Sequence, residues 1–173
     1  MTDGIQVRLF TPDEWPLYKH IRLQALQTDP QVFGSNYAKE SADPDTRWQE
    51  GVADPAKVGI FGVFDGATPI GMTGIALLRD DPAGETAKLW GSWITPDARG
   101  RGISVPMYRA RISWAQAHPT VRRIIVSHRQ SNAASMYANQ KHGFQKTHIE
   151  DHLWPDGISE PHVFYELLLD KPR

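Results

Sequence analysis

Six consecutive residues carry the strongest chemical signal in the chain: Arg99-Gly100-Arg101-Gly102-Ile103-Ser104. Two glycines one residue apart take Cβ atoms off the backbone and let it turn tightly, so that successive N–H groups converge on one point. A helix that begins at once adds the positive end of its dipole. Arg99 and Arg101 bring charge suited to phosphate oxygens. A pyrophosphate is the natural guest of such a segment. It is not a Walker A loop, because no Gly-Lys-Ser/Thr follows, and not a dinucleotide fingerprint, because the third glycine is missing. On its own the loop also admits a plain reading, a strand-to-helix turn with solvated arginines.

The elements that must position this loop follow from periodicity. Ile5, Val7 and Leu9 alternate with polar residues as a half-buried strand does. Thr11-Pro12-Asp13-Glu14 has the form of a capping box with proline in the first turn. Leu17, Ile21 and Ala25 then form a helical stripe that ends at Asp29-Pro30. A short helix is predicted around Asp45 to Gly51. Val58 to Phe64 and Ile70 to Leu78 read as strands joined by the turn Asp65-Gly66. Ala87 to Thr95 is the strand that feeds the loop. Ser104 to Ala117 is the helix that leaves it, with Met107, Ala110, Trp114 and Ala117 on its apolar face. Arg123 to Ser127 reads as a buried strand and Asn132 to His142 as a helix closed by Gly143. His148 to Leu153 and His162 to Leu169 form a last pair of strands. The predicted order is β-α-α-β-β-β-α-β-α-β-β. It implies an α+β (α/β) domain over residues 1–173, a mostly antiparallel central sheet with helices on both faces.

Bulk composition narrows the partners. Nineteen basic and 20 acidic residues leave a net charge of −1, against nucleic acid or an anionic membrane as the main partner. There is no cysteine, which excludes disulfides, thiolate metal sites and a Cys nucleophile. No secretory h-region opens the chain, and no apolar run nears the roughly 20 residues of a membrane helix. A cytoplasmic enzyme or binding module is expected. His142, His148, His152 and His162 raise the question of a metal. However, His148 and His152 fall in a segment read as strand, where their spacing loses its meaning, and no metal is expected. Trp90 and Trp93 are expected on opposite faces of their strand, one of them toward an acceptor pocket.

Together these segments resemble the GNAT acetyltransferases. Arg99 to Ser104 looks like the family's motif A, Q/R-x-x-G-x-G/A, with Arg99 and Gly102 matching and Ser104 in place of the last small residue. Asn132 with Gly143-Phe144 resembles motif B. Ile21 to Leu26, Pro30 and Phe33-Gly34-Ser35 look like the first helix and substrate loop, and Val163 to Leu168 like the last strand. The resemblance spans nearly the whole chain in order.

It implies direct transfer of an acetyl group from acetyl-CoA to a primary amine in a ternary complex, with no metal. Pantetheine would pair with the backbone of Trp93, Ile94 and Thr95, and an N–H near Ile94 would hold the oxyanion. The N–H groups of Arg99, Gly100, Arg101, Gly102, Ile103 and Ser104 would hold the pyrophosphate, and Asn132 would hydrogen-bond pantetheine. The family's thiolate acid is a Tyr seven residues after that Asn. Here the position is Asn139, able to bind the thiolate but no useful acid. Tyr137 is near but about 200° around the helix. For the base, Glu85 is the carboxylate nearest the expected strand position, and His128 ends the next strand with a side chain that accepts protons near neutral pH. A satisfied strand-end histidine is the plain alternative. Glu40 is placed to meet a cationic substrate or to stay solvated. The acceptor would be a small-molecule or peptide amine, with no nucleic acid or membrane as partner and a homodimer as one admissible assembly. Two other readings compete: an acyl-CoA sensor without turnover, favoured by Asn139, and a nucleotide-binding protein using the same loop.

Overall fold

In a computed structural model, which describes residues 4–171, seven strands join in one sheet in the order β1-β2-β3-β4-β5-β7-β6. They are β1 (Ile5–Leu9), β2 (Val58–Asp65), β3 (Thr68–Leu77), β4 (Thr86–Ile94), β5 (Arg123–Arg129), β6 (Gln145–Glu150) and β7 (His162–Leu168). Every neighbouring pair is antiparallel except β4 and β5. That parallel pair needs a long crossover, and helix α4 (Ser104–Ala117) supplies it. The remaining helices are α1 (Trp15–Thr28), α2 (Tyr37–Ser41), α3 (Asp45–Ala53) and α5 (Ala133–Lys141). One face of the sheet packs on α1 and α3 through Tyr18, Ile21, Leu26 and Trp48. The other packs on α4 through Tyr108 and Ala115.

The predicted order of elements holds, with one addition and several shifted boundaries. Helix α1 starts at Trp15, because a 3-10 turn over Pro12–Glu14 intervenes. The Thr11 amide still donates to Glu14 Oε2 at 2.9 Å, and a second proline, Pro16, fits the first turn of α1. Helix α2 is new; Asn36 Oδ1 caps it by accepting from the Lys39 amide at 2.9 Å. Strand β6 begins at Gln145, and Leu153 keeps only one bridge, to Ser159. All residues of β6 are exposed, so this edge strand has no buried face for an alternation to mark.

Two differences bear on the site. The buried face of α4 is centred on Met107, Tyr108, Arg111 and Ala115, not on the predicted stripe, and Ala117 is exposed. A guanidinium in the middle of the buried face broke the apolar pattern. Trp90 and Trp93 both pack on the α1 side of the sheet. The register passes from Met72↔Trp93 to Gly74↔Trp90, so β4 holds one extra residue there, and an extra residue reverses the alternation. Gly91 sits in this bulge with φ +63°.

Candidate active site

Strands β4 and β5 pair only over Thr86–Lys88 and Arg123–Ile125. Beyond that they part, and a cleft of about 300 Å³ opens between Leu89 to Ile94 on one side and Val126 to His128 on the other, lined also by Asn132, which caps α5, and by Asn139 on that helix. The Thr95 amide donates to Ile70 on β3 at 2.8 Å. Backbone groups of a strand alternate between its edges, so Trp93 also faces β3 and Ile94 faces the cleft. The expectation that Trp93, Ile94 and Thr95 all offer backbone to a ligand is thus corrected to Ile94 alone. Trp93 still lines the cleft with its ring, and Thr95 keeps a buried hydroxyl without a partner.

At the far end of β4 the glycine loop has the form the sequence suggested. Gly100 and Gly102 adopt φ +77° and +74°, left-handed values that side chains resist. A Cβ on either would enter open space, with no atom within 4 Å. The amides of Gly100, Arg101, Gly102, Ile103 and Ser104 have no backbone acceptor among the described residues. Five free N–H groups at the start of a 14-residue helix form a cradle that fits an anion such as a pyrophosphate. The Arg99 amide is not among them, because it donates to the Pro96 carbonyl at 3.3 Å. The arginines are also engaged. Arg99 donates Nε to the Ile94 carbonyl at 3.1 Å and pairs with Asp29 through Nη2. Arg101 pairs with Asp65 at 2.7 Å. Asp29 accepts from Trp93 Nε1 as well, at 2.7 Å. Burial works to raise its pKa, but these donors hold it below the usual value.

The proton-handling candidates separate sharply. His128 lines the cleft and is 6% exposed. Its Nδ1 lies 2.7 Å from the Arg129 carbonyl, an acceptor, so Nδ1 carries the proton and a neutral ring leaves its lone pair on Nε2. That Nε2 has no partner. Glu85 does not reach the site. It lies at the paired end of the two strands, near Arg122 at 3.6 Å, about 30 Å along the strand from Ile94. Tyr137 is 66% exposed on the outer side of α5, as its angular offset from Asn139 requires. Asn139 is fully buried and lines the cleft. Asn132 caps α5 by accepting from the Ser135 amide at 3.0 Å, which leaves its Nδ2 for another partner. Sequence reasoning missed Tyr108 and Arg111, which also line the cleft. Their only trace in the sequence is a polar pair three residues apart inside a helix.

A second cavity, of about 1070 Å³, lies against α1, α2 and α3, and Trp90 lines both spaces. Beside it Arg22 grips Glu40 with two hydrogen bonds, of 2.8 and 2.7 Å. Burial pushes the Glu40 pKa up, but Arg22 holds it below the ordinary value. Its charge is therefore spent on Arg22 rather than open to a cationic substrate. Among the described residues, no group of three or more His, Asp or Glu side chains is placed to hold a metal ion, and no helix is long and apolar enough to cross a membrane.

The sequence model for the acetyltransferase (GNAT) domain matches residues 5–145. The chain belongs to the GNAT acetyltransferase family. No curated protein matches it significantly, whereas many solved structures do. A GNAT-family acetyltransferase from Streptococcus pneumoniae is 17% identical and superimposes with a TM-score of 0.81, over 95% of this chain and 99% of the other. A putative acetyltransferase from Salmonella typhimurium, described with its cofactor acetyl-CoA, is 16% identical with a TM-score of 0.81, over 98% and 96%. A ribosomal-protein-S5-alanine acetyltransferase from Vibrio fischeri is 16% identical with a TM-score of 0.79, over 98% and 96%. At these identities the GNAT fold is what the chain shares with them.

Proposed function

We propose that this GNAT protein transfers the acetyl group of acetyl-CoA to a primary amine of a small molecule or peptide, by direct attack within a ternary complex. The observation that carries the reading is the run of free amides from Gly100 to Ser104 at the end of a strand that parts from its neighbour. A pyrophosphate on that run leads the pantetheine arm into the cleft, past Asn132 Nδ2. The Ile94 amide then faces the thioester carbonyl and stabilises the charge that grows on its oxygen. The acetyl-CoA described for the Salmonella relative supports this choice of ligand. The amine enters from the larger cavity, along Trp90. His128 Nε2 takes its proton, since an ammonium has no lone pair with which to attack. Asp29, the one carboxylate lining the cleft among the described residues, is occupied by Trp93 and Arg99.

The test is CoA release from acetyl-CoA over a panel of amines: amino acids, polyamines, aminoglycosides and peptides with free N-termini. Release above the amine-free rate with at least one acceptor is expected. Tight acetyl-CoA binding with no release across the panel would instead make the protein a sensor.

A further inference from the structure

One corner of the cleft holds hydrogen-bond donors and lacks an anion to receive them. Arg111 on α4 is 1% exposed. Its Nη1 donates to Ser92 Oγ at 2.8 Å and its Nε to the Met107 carbonyl at 3.2 Å, but Nη2 has no partner. No carboxylate pairs with it among the described residues, and burial pulls its pKa down to about 10. The guanidinium lies 4.5 Å from the ring centre of Tyr108. The Tyr108 hydroxyl donates to Asn139 Oδ1 at 2.5 Å, and the Asn139 amide nitrogen, also buried, has no partner. All three side chains line the cleft.

Burying a cation without a counter-ion is costly. The cost is recovered if an anion arrives during the working cycle. The pyrophosphate is not that anion, because its cradle ends at Ser104, about 10 Å along the helix from Arg111. The carbonyl oxygen is served by the Ile94 amide. What remains is the sulfur, which becomes negative as the thioester breaks. We propose that Tyr108 gives its proton to the departing CoA sulfur and that Arg111 holds the charge on that sulfur and on the phenolate left behind.

The step rests on the acetyl-transfer reading. The amine nitrogen forms its bond to the carbonyl carbon, the C–S bond breaks, and the electron pair leaves on sulfur. The Tyr108 proton moves to sulfur and gives free thiol. The nitrogen, now bonded to the carbonyl carbon, gives its surplus proton to solvent, and the phenolate, beside Arg111, regains one from solvent. Asn139 positions Tyr108 in the resting state. Its Nδ2, buried in the same corner, keeps both hydrogens without a partner. Other titratable groups close to this corner are, among the described residues, His142, stacked on Tyr108 at 4.2 Å, and His128 on β5, while Asp29 and Arg99, paired with each other, line the same cleft. Burial, then Lys141 and Arg111, hold the His142 pKa below its ordinary value.

The experiment needs no acceptor amine. CoA and desulfo-CoA, which lacks only the sulfur, are titrated into the full-length protein from about pH 6 to about pH 9, across the range in which a thiol ionises. CoA is expected to tighten about tenfold relative to desulfo-CoA as pH rises, as for a hydrogen bond to a charged partner. The gain shrinks in Tyr108→Phe, which keeps the ring on His142, and vanishes in Arg111→Met. Where turnover is found, Tyr108→Phe lowers kcat about a hundredfold with the KM for acetyl-CoA nearly unchanged. Parallel pH profiles for CoA and desulfo-CoA, or an unchanged kcat in Tyr108→Phe, overturn the proposal. Binding of neither ligand is a different failure, that of the cleft as an acyl-CoA site, and removes the proposal with it.

Discussion

His128 gives Nδ1–H to the Arg129 carbonyl and keeps a bare, buried Nε2 on a side chain that lines the cleft, which is the tautomer the proposed base requires. Changing His128→Gln should lower amine acetylation about a hundredfold while calorimetry gives an unchanged acetyl-CoA affinity. Equal losses in both would assign His128 to binding. The turn at Gly100 and Gly102 and the place of His128 at the end of β5 were legible in the sequence, because each follows from residue type and position along the chain. Tyr108 and Arg111 were not, since their meaning comes from Asn139 and Ser92, residues 31 and 19 positions away that only the fold brings near. Glu85 was misplaced for the converse reason. It is the carboxylate nearest along the chain to the strand position the resemblance implies, yet a strand carries its start and end far apart. Asn139 stands where the resemblance implies a tyrosine, and it holds the hydroxyl of one from the neighbouring helix.

At the scale of elements, the geometry of the site depends on how β4 leaves β3. Gly71 lies opposite Ile94, and a Cβ there would sit 2.3 Å from the Trp93 carbonyl oxygen and 2.6 Å from Ile94 Cδ1. A backbone oxygen has little room to yield, so Gly71→Ala should cost about 1–3 kcal/mol by chemical denaturation. It should also weaken acetyl-CoA binding by shifting Ile94. Wild-type stability in that variant would show that β4 is held less firmly than its packing implies. The strands and helices around this junction could be read from alternation and turn residues. The bulge at Gly91 could not, and one extra residue was enough to bring Trp90 and Trp93 to the same face. Strand β6 was shifted because its pairing with β7 is set by backbone register, and its exposed side chains carry no burial pattern.

For the molecule as a whole, acid should act in two windows. Burial first, then His152 and Lys88, hold the folded pKa of His162 at about 4 against an ordinary 6.5. The unfolded chain binds that proton first, so stability present above pH 6.5 is lost as pH falls from 6.5 toward 4. Arg8 and the Thr11 amide hold Glu14 at about 2 against 4.5, and its contribution is lost as pH falls from 4.5 toward 2. The melting temperature should therefore decline on acidification below pH 6.5, and His162→Phe should flatten the upper window. An identical slope in that variant would show that His162 does not set the upper window. The cleft and its amide cradle are best tested by calorimetric titration of the protein with acetyl-CoA, with ATP and NAD as controls. Micromolar binding of acetyl-CoA is expected, with much weaker binding of the two controls and loss of acetyl-CoA affinity in Gly102→Val, whose side chain would fill the open side of the cradle. A well-folded protein that ignores acetyl-CoA, or binds ATP or NAD more tightly, would contradict that expectation.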